Sequence, residues 1–142
     1  MISYSRQTID KSDIDYVSEV LNSNWITQGS TTKKFENSLK SYFGTKYCCA
    51  VANGTAALHL SGLALNWKKG DIVITSPITF LASANCILYS GATPDFVDID
   101  PKSYTIDPNL LEEKLKFYLE KGNKVSSVVG VDYAGQPCDG KL

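Results

Sequence analysis

The sequence predicts an α/β protein with a mainly parallel sheet and helices on both faces. Two observations predict it. From about residue 46 onward, strand patterns alternate with helical patterns, and the strands are short apolar runs such as residues 72–74. Strands joined by helices run parallel, with right-handed crossovers as the default. The carboxyl ends of all strands then meet at one edge of the sheet, where ligands of such folds bind.

Length and composition fit a globular domain without an obvious polyanionic partner. The 142 residues are 43% hydrophobic and 20% charged, and the 14 basic and 15 acidic residues give a net charge of -1 without a Lys/Arg stripe. This balance disfavours nucleic acid and anionic membranes as partners. No apolar run approaches the roughly 20 residues of a membrane span, and the amino terminus does not resemble a secretion signal. We therefore expect a cytoplasmic protein.

The cysteines and the single histidine do not predict a metal site or a nucleophile. Cys48, Cys49, Cys86 and Cys138 form no C-x-x-C pair, and none lies near a usable histidine in the sequence. We expect them to be small, buried and reduced side chains. His59 lies in a predicted helix among leucines, where a packed or half-exposed ring is expected rather than a catalytic base.

Two amphipathic helices are predicted before the alternation begins. Asp10 is a candidate N-cap for a helix over residues 11–23, in which apolar residues recur at helical spacing. A second helix is predicted over residues 32–43, with Gly44 as its C-terminal stop. The polar loop between them carries Trp25, a large apolar residue that we expect to pack against something.

The alternating part of the chain divides into four strands and three helices. Strands are predicted at residues 47–52, 71–75, 93–97 and 125–131, and helices at residues 55–66, 80–89 and 108–121. The last strand has no helix after it, and an exposed parallel strand is a poor terminus for an independent domain. We therefore expect a piece of a larger protein, with an N-terminal helical segment at residues 1–45 and the first part of an α/β domain at residues 46–142.

Residues 51–60 have the pattern of an anion site, in which an apolar run breaks at Asn-Gly and resumes as a helix. Gly54 permits a tight turn, and Thr55 offers a hydroxyl and an N-H. The free N-H groups of the first helical turn and the positive end of the helix dipole could hold a phosphate without any nearby cation. The alternative is an ordinary strand-to-helix turn with a threonine near the N-cap.

Six segments stand out along almost the whole chain. They are YSRQTID at 4–10, WITQG at 25–29 followed by FE at 35–36, NGTAAL at 53–58, SPITFLASAN at 76–85, GATPDFVDID at 91–100 and VDYAGQP at 131–137. In this order and spacing the chain resembles the sugar aminotransferases of the DegT/DnrJ/EryC1/StrS type. The opening and the VDYAG segment most resemble the members that act in pseudaminic acid synthesis on a UDP-linked 4-keto-6-deoxy-N-acetyl sugar.

The resemblance implies a fold-type I homodimer that depends on pyridoxal 5'-phosphate, a cofactor that acts as an electron sink. It implies that Gly54 and Thr55 supply N-H donors to the cofactor phosphate and that Phe80 stacks on the pyridine ring. Without the resemblance, Phe80 would be interpreted as a core aromatic at the start of a helix. The resemblance also suggests that Trp25 and Thr27 approach the substrate or the partner subunit, with a packing role for Trp25 as the alternative.

Two groups that the resemblance requires are missing from this sequence. One is the carboxylate beside the pyridine nitrogen, which lies in a segment of the Glu-Asp-Ala-Ala-His type, and the other is the lysine that forms a Schiff base with the cofactor. No catalytic residue is therefore assigned. The resemblance implies that the intact enzyme transfers an amino group from glutamate to the keto carbon of the nucleotide sugar, and that this chain is an inactive N-terminal fragment.

Three other interpretations remain open at this point. The chain could be a complete small α/β module that binds phosphate or a nucleotide, which the residues 51–60 would permit. It could be a non-enzymatic remnant or an oligomerisation partner of a full-length enzyme. The intact protein could also be a related dehydratase, in which a histidine replaces the Schiff-base lysine.

Overall fold

A computed structural model of the chain describes residues 6–139. The α-helices are α1 (Lys11–Leu21), α2 (Ser30–Phe43), α3 (Gly54–Ala64), α4 (Ala82–Tyr89) and α5 (Pro108–Glu120), and the strands are β1 (Ile72–Thr75), β2 (Thr93–Phe96) and β3 (Val125–Val129). A 3-10 turn at Tyr133–Gly135 follows β3. The chain forms two compact units, Met1–Ala50 and Val51–Leu142. Each is described by itself.

In the first unit both predicted helices form, and the predicted N-cap Asp10 and stop Gly44 are confirmed, while α1 ends two residues earlier and α2 begins two residues earlier than predicted. Asp10 caps α1, because its side chain accepts the N-H groups of Ser12 and Asp13 while Asp13 accepts the N-H of Asp10, which makes a capping box. Gly44 ends α2 in the left-handed conformation, with φ of 63°, which glycine adopts without steric cost. Two residues of the opening segment, Tyr4 and Ser5, lie outside the described residues.

The strand predicted at residues 47–52 is wrong, because this segment has no regular structure. A strand needs a neighbouring strand, and none of the strands in the described range pairs with it. The Ala50 N-H instead donates a 3.0 Å hydrogen bond to Glu36 Oε1. Cys48 is only half-buried and Cys49 is exposed, so the expected burial is wrong for Cys49 and incomplete for Cys48.

The second unit contains the predicted parallel sheet, with strand order β2-β1-β3. Central β1 places Ile72 opposite Thr93 on one side and opposite Val125 on the other. A register shift follows between Ile72 and Val73 on the β3 side. The last strand ends at residue 129, two residues earlier than predicted.

Helices cover both faces of the sheet, as predicted. Alternate residues of β1 divide the core, since Val73 and Ile74 are fully buried but point to opposite faces. The Val73 face packs against α4 and contains Trp67, Cys86, Ile87 and Ala92. The Ile74 face packs against α5 and contains Val97, Ile106 and Leu111. Among residues 6–139, every helix is too short or too polar to cross a membrane.

Candidate functional site

The carboxyl edge of the sheet is the place where the predicted site residues of the second unit should meet. Because the three strands are parallel, the loops at residues 76–81, 97–107 and 130–139 all leave the sheet at this edge. Helix α4 follows β1 and returns the chain to the start of β2, so the first residues of α4 also lie at the carboxyl edge.

Helix α3 begins at the same edge, because it runs parallel to α4. Gly62 of α3 faces Ser90, to whose Oγ an added Cβ would come within 2.7 Å. One turn earlier, the His59 ring meets the Tyr89 ring edge-on, with 5.5 Å between centroids. Ser90 comes shortly before the start of β2 and therefore lies at the amino edge of the sheet. Because Gly62 in the last turn of α3 contacts it, the start of α3 points to the opposite, carboxyl edge. The structure therefore places Gly54 at the carboxyl edge, and it confirms the half-buried environment expected for His59.

The first turn of α3 presents two free N-H groups. Asn53 is the N-cap: its Oδ1 accepts the Ala56 N-H at 2.9 Å, and its carbonyl accepts the Ala57 N-H at 3.1 Å. The N-H groups of Gly54 and Thr55 have no acceptor within residues 6–139. No atom lies within 4 Å of a Cβ added at Gly54. An anion can therefore approach two donors at the positive end of the helix dipole.

Phe80 lies in the turn between β1 and α4 and is not part of the core. Its side chain is 79% exposed. The helix predicted from residue 80 begins two residues later, at Ala82. The Phe80 carbonyl accepts the Ser83 N-H at 3.0 Å, and the Ser83 hydroxyl is 2.8 Å from that of Thr79. These bonds fix the turn and leave the aromatic ring in solvent at the carboxyl edge of β1.

Trp25 and Thr27 lie in the loop between α1 and α2, in the first unit. Trp25 is 68% exposed and Thr27 is also exposed. The loop turns sharply: Gln28 has φ of 53°, and a Cβ at Gly29 would lie 2.9 Å from the Trp25 carbonyl oxygen. The packing expected for Trp25 is therefore not observed, and the loop holds the indole in an exposed position.

Sequence reasoning missed an aromatic contact at the carboxyl edge. The rings of Tyr104 and Tyr133 stack with 6.2 Å between centroids and 25° between planes. Tyr104 follows β2 and adopts the left-handed conformation, and Tyr133 follows β3. The only available signal was that both tyrosines come after parallel strands, which indicates a shared edge but not a contact.

Two of the cysteine thiols are held in their neutral form. Burial raises the pKa of the Cys86 thiol. Burial and the neighbouring Asp132 carboxylate raise the pKa of the Cys138 thiol. A thiol with a raised pKa is a poor nucleophile and a poor metal ligand. In the range 6–139, no cluster of three or more His, Cys, Asp or Glu residues could hold a metal ion.

The geometry of Gly54, Thr55 and Phe80 suits binding rather than proton transfer. None of these residues carries an acid or a base. Two free N-H donors suit a phosphate, and an exposed aromatic at the same edge suits a flat ring.

Comparison with known proteins gives the chain a family. The model of the DegT/DnrJ/EryC1/StrS aminotransferase family matches residues 7–141. The chain belongs to this family. Enzymes of the family are aminotransferases that depend on pyridoxal phosphate, and several are sugar aminotransferases.

Individual relatives of the family are similar along nearly all of this chain. GDP-perosamine synthase of Escherichia coli O157:H7 is 40% identical over 88% of the chain, which corresponds to 33% of the relative. UDP-4-amino-4,6-dideoxy-N-acetyl-beta-L-altrosamine transaminase of Campylobacter jejuni 81-176 is 40% identical over 95% of the chain and 35% of the relative.

A solved structure of the family confirms the fold. Helicobacter pylori PseC, an aminotransferase involved in the biosynthesis of pseudoaminic acid, superimposes with a TM-score of 0.82 and 35% sequence identity. The match covers 96% of this chain and 36% of PseC. The chain thus spans about a third of the length of the relatives that it matches.

Proposed function

We propose that this chain is the N-terminal part of a nucleotide-sugar aminotransferase that uses pyridoxal phosphate. The reaction moves the amino group of glutamate to the keto carbon of a UDP-linked 4-keto-6-deoxy-N-acetyl sugar. Family membership and the similarity to the C. jejuni transaminase and to PseC support this reaction. The C. jejuni relative is named for a UDP-linked sugar and the E. coli relative for a GDP-linked sugar. The identity of the nucleotide is therefore the first feature of the substrate to test.

The observation that carries the proposal is the start of α3. Gly54 and Thr55 each present an N-H group without an acceptor in the described range, and the space around Gly54 is open. We assign these donors to the cofactor phosphate. Charge-assisted hydrogen bonds and the helix dipole hold the phosphate there, and no cation is needed.

Phe80 is assigned to the pyridine ring of the cofactor. Its ring is exposed at the same edge as Gly54, and it contributes nothing to the core. A stacked aromatic adds about 0.5–1.5 kcal/mol beyond burial alone and fixes the tilt of its partner. When bound, pyridoxal phosphate supplies an electron sink for the carbanion that forms during amino transfer. The residues of this chain anchor and orient the group.

Trp25 and Thr27 are assigned to the nucleotide sugar or to the partner subunit. This assignment is supported by the exposure of both residues, since Trp25 is 68% exposed and its indole is available for contact. The homodimer, the pseudaminic acid pathway within polysaccharide biosynthesis and the cytoplasmic location stay predictions. Exposed apolar side chains on α1 and α2, where the structure buries no residue, are compatible with a subunit interface.

The 142-residue chain should not transaminate by itself, because no residue of this sequence matches the Schiff-base lysine or the ring-nitrogen carboxylate that the family resemblance requires. This is tested by incubating the purified chain with glutamate, pyridoxal phosphate and a UDP-linked 4-keto sugar. No amino sugar should form. Glutamate-dependent product from the chain alone would overturn the assignment of an inactive fragment.

The assignment of the Gly54 and Thr55 N-H groups to the cofactor phosphate can be tested with a substitution that removes one of these donors. Gly54→Pro deletes the N-H at the first position of α3, where proline fits a helix. Asn53 is already extended, with ψ of 173°, as the residue before a proline must be. Gly54→Ala is the matched control, because it adds a methyl group into open space and keeps the N-H.

The readout is the affinity for pyridoxal phosphate, followed through the amide NMR signal of Thr55, which the parent and both variants retain, with pyridoxal as the comparison ligand. Loss of one hydrogen bond to a charged group should weaken binding about tenfold or more in Gly54→Pro. Gly54→Ala should bind within about threefold of the parent chain. Equal affinity of the parent for pyridoxal and pyridoxal phosphate would contradict the assignment of these donors.

A further inference from the structure

The outer edge of β2 is closed to a further strand. Thr93 and Val97 donate their N-H groups to Asp71 and Thr75, which shows that the alternate residues Pro94 and Phe96 face away from β1. Pro94 has no N-H, and the Phe96 N-H donates to the Asp95 carboxylate at 2.8 Å. No outward N-H in β2 therefore remains for sheet extension.

A groove with apolar walls lies beside this closed edge. One wall is a face of α5, on which Leu110, Glu113, Lys114 and Phe117 recur at helical spacing. The other wall is formed by Phe96 at the end of β2 and by Asp98 just after it. The apolar side chains of Phe96, Leu110 and Phe117 are each more than 40% exposed. Because α5 packs on the Ile74 face of the sheet, the groove lies on the opposite face from α3 and α4.

The charge in the groove is negative. Lys114 is already neutralised, because its Nζ lies 2.8 Å from Asp95 Oδ2. Within residues 6–139, the Glu113 carboxylate has no hydrogen bond or ion pair, and the Asp98 carboxylate accepts only the N-H of Ile99. Two carboxylates therefore border the groove without a cation.

The aromatic wall also attracts cations. Lys121 places its Nζ 4.0 Å from the centroid of the Phe117 ring. A ring face that holds an ammonium at this distance gains electrostatic energy from its quadrupole. Because Lys121 already occupies this ring face, the preference for a basic partner rests on the Glu113 and Asp98 carboxylates, and Phe117 contributes apolar contact.

We propose that this groove binds a basic amphipathic helix of a partner protein. Apolar side chains of that helix cover Leu110, Phe117 and Phe96, and a lysine or arginine pairs with Glu113. The closed β2 edge does not accept an added strand, and a helix of the partner can lie along the exposed face of α5 with its apolar side chains in the groove. This docking surface is additional to the aminotransferase reaction and does not depend on it.

The test uses the complete 142-residue chain and two synthetic peptides of about four helical turns. Both peptides carry leucines at the same positions, and their polar face is lysine in one and glutamate in the other. Amide NMR signals of the chain should shift at residues 96–98 and 110–117 with the lysine peptide. The glutamate peptide should bind at least about fivefold more weakly, because it meets like charge.

A charge reversal in the groove completes the test. Glu113→Lys should weaken the lysine peptide about fivefold or more, while Glu120→Lys, the same charge change at the end of α5 and outside the groove, should change affinity less than twofold. The amide spectra of both variants report whether the fold is retained. The proposal is overturned by equal binding of the two peptides, by signal changes elsewhere, by an equal effect of the two variants, or by no binding.

Discussion

The Tyr118 hydroxyl donates a 2.6 Å hydrogen bond to Asp95 Oδ2 and thereby ties α5 to the edge strand β2. Lys114 donates to the same oxygen at 2.8 Å. Burial alone would raise the pKa of Asp95, but the two donors outweigh it and lower that pKa. The Asp95 carboxylate in turn raises the pKa of Tyr118 to about 12.

We expect Tyr118→Phe to lower the free energy of unfolding by about 1–2 kcal/mol at neutral pH, because it removes a hydrogen bond to a carboxylate. The Asp95 pKa is lower in the folded chain, so its contribution is present above the unfolded value of 3.8 and is lost as pH falls through the folded value. The Tyr118 contribution is complete below pH 10.0 and is lost as pH rises towards about 12.

Urea unfolding at neutral, acidic and alkaline pH measures this dependence. The cost of Tyr118→Phe should be largest at neutral pH and should shrink towards both extremes. Tyr42→Phe removes the same hydroxyl from a side chain that is 83% exposed, and it should leave stability nearly unchanged. A cost that stays constant from acid to alkali would show that the Asp95 charge does not contribute.

The parallel sheet and its helices could be predicted because their signals are local. Asp10, Gly44 and Pro108 mark helix ends through backbone chemistry that acts within one turn. The short apolar strands indicated burial on both faces, which β1 shows. The order of six segments along the chain indicated the family, and the match of the family model to residues 7–141 confirms that resemblance.

The failures concern partners that are distant in sequence. Residues 47–52 have the composition of a strand, yet strand formation depends on a neighbour, and Glu36 takes one of the N-H groups instead. The contact between Tyr104 and Tyr133 joins loops 29 positions apart. Hydrophobic periodicity describes one segment at a time and does not show which distant segments contact each other. It therefore could not predict the Ala50–Glu36 hydrogen bond or the Tyr104–Tyr133 contact.

Gly62 of α3 lies directly against the Trp67 indole. An added Cβ would lie 2.5 Å from Cε3 of Trp67 and 2.7 Å from Ser90 Oγ. We expect Gly62→Ala to destabilise the chain by about 1–3 kcal/mol, because overpacking exceeds the gain in helix propensity. Ser61→Ala on the exposed side of α3 is the control. A Gly62→Ala variant as stable as the parent in urea would show that the indole can move away.

Ser127 links β3 to Trp67, which belongs to the core on the Val73 face of the sheet. The Trp67 Nε1-H donates to Ser127 Oγ at 2.9 Å, across 60 positions of sequence. We expect Ser127→Ala to cost about 1–3 kcal/mol, because the indole N-H of a buried tryptophan loses its acceptor. Urea unfolding compares it with Ser127→Thr, which keeps a hydroxyl and should recover part of the loss. Equal stability of all three chains would contradict a role for this bond.

The stability of a Phe80 variant distinguishes a binding role of this side chain from a role in the core. Because its side chain is 79% exposed, we expect Phe80→Ala to change the free energy of unfolding by less than about 0.5 kcal/mol. Ile87 is fully buried on the α4 side of the sheet, and Ile87→Ala should cost about 2–5 kcal/mol. Urea unfolding of both variants gives the comparison.

The same Phe80→Ala variant should weaken the affinity for pyridoxal phosphate about two- to tenfold, since stacking is worth about 0.5–1.5 kcal/mol. Phe80→Tyr keeps the ring and should bind within about twofold of the parent. The two measurements are independent, because stability reports contacts within the chain and affinity reports contacts with the ligand. A variant with unchanged affinity and a large loss of stability would return Phe80 to the core, and the binding assignment would fail.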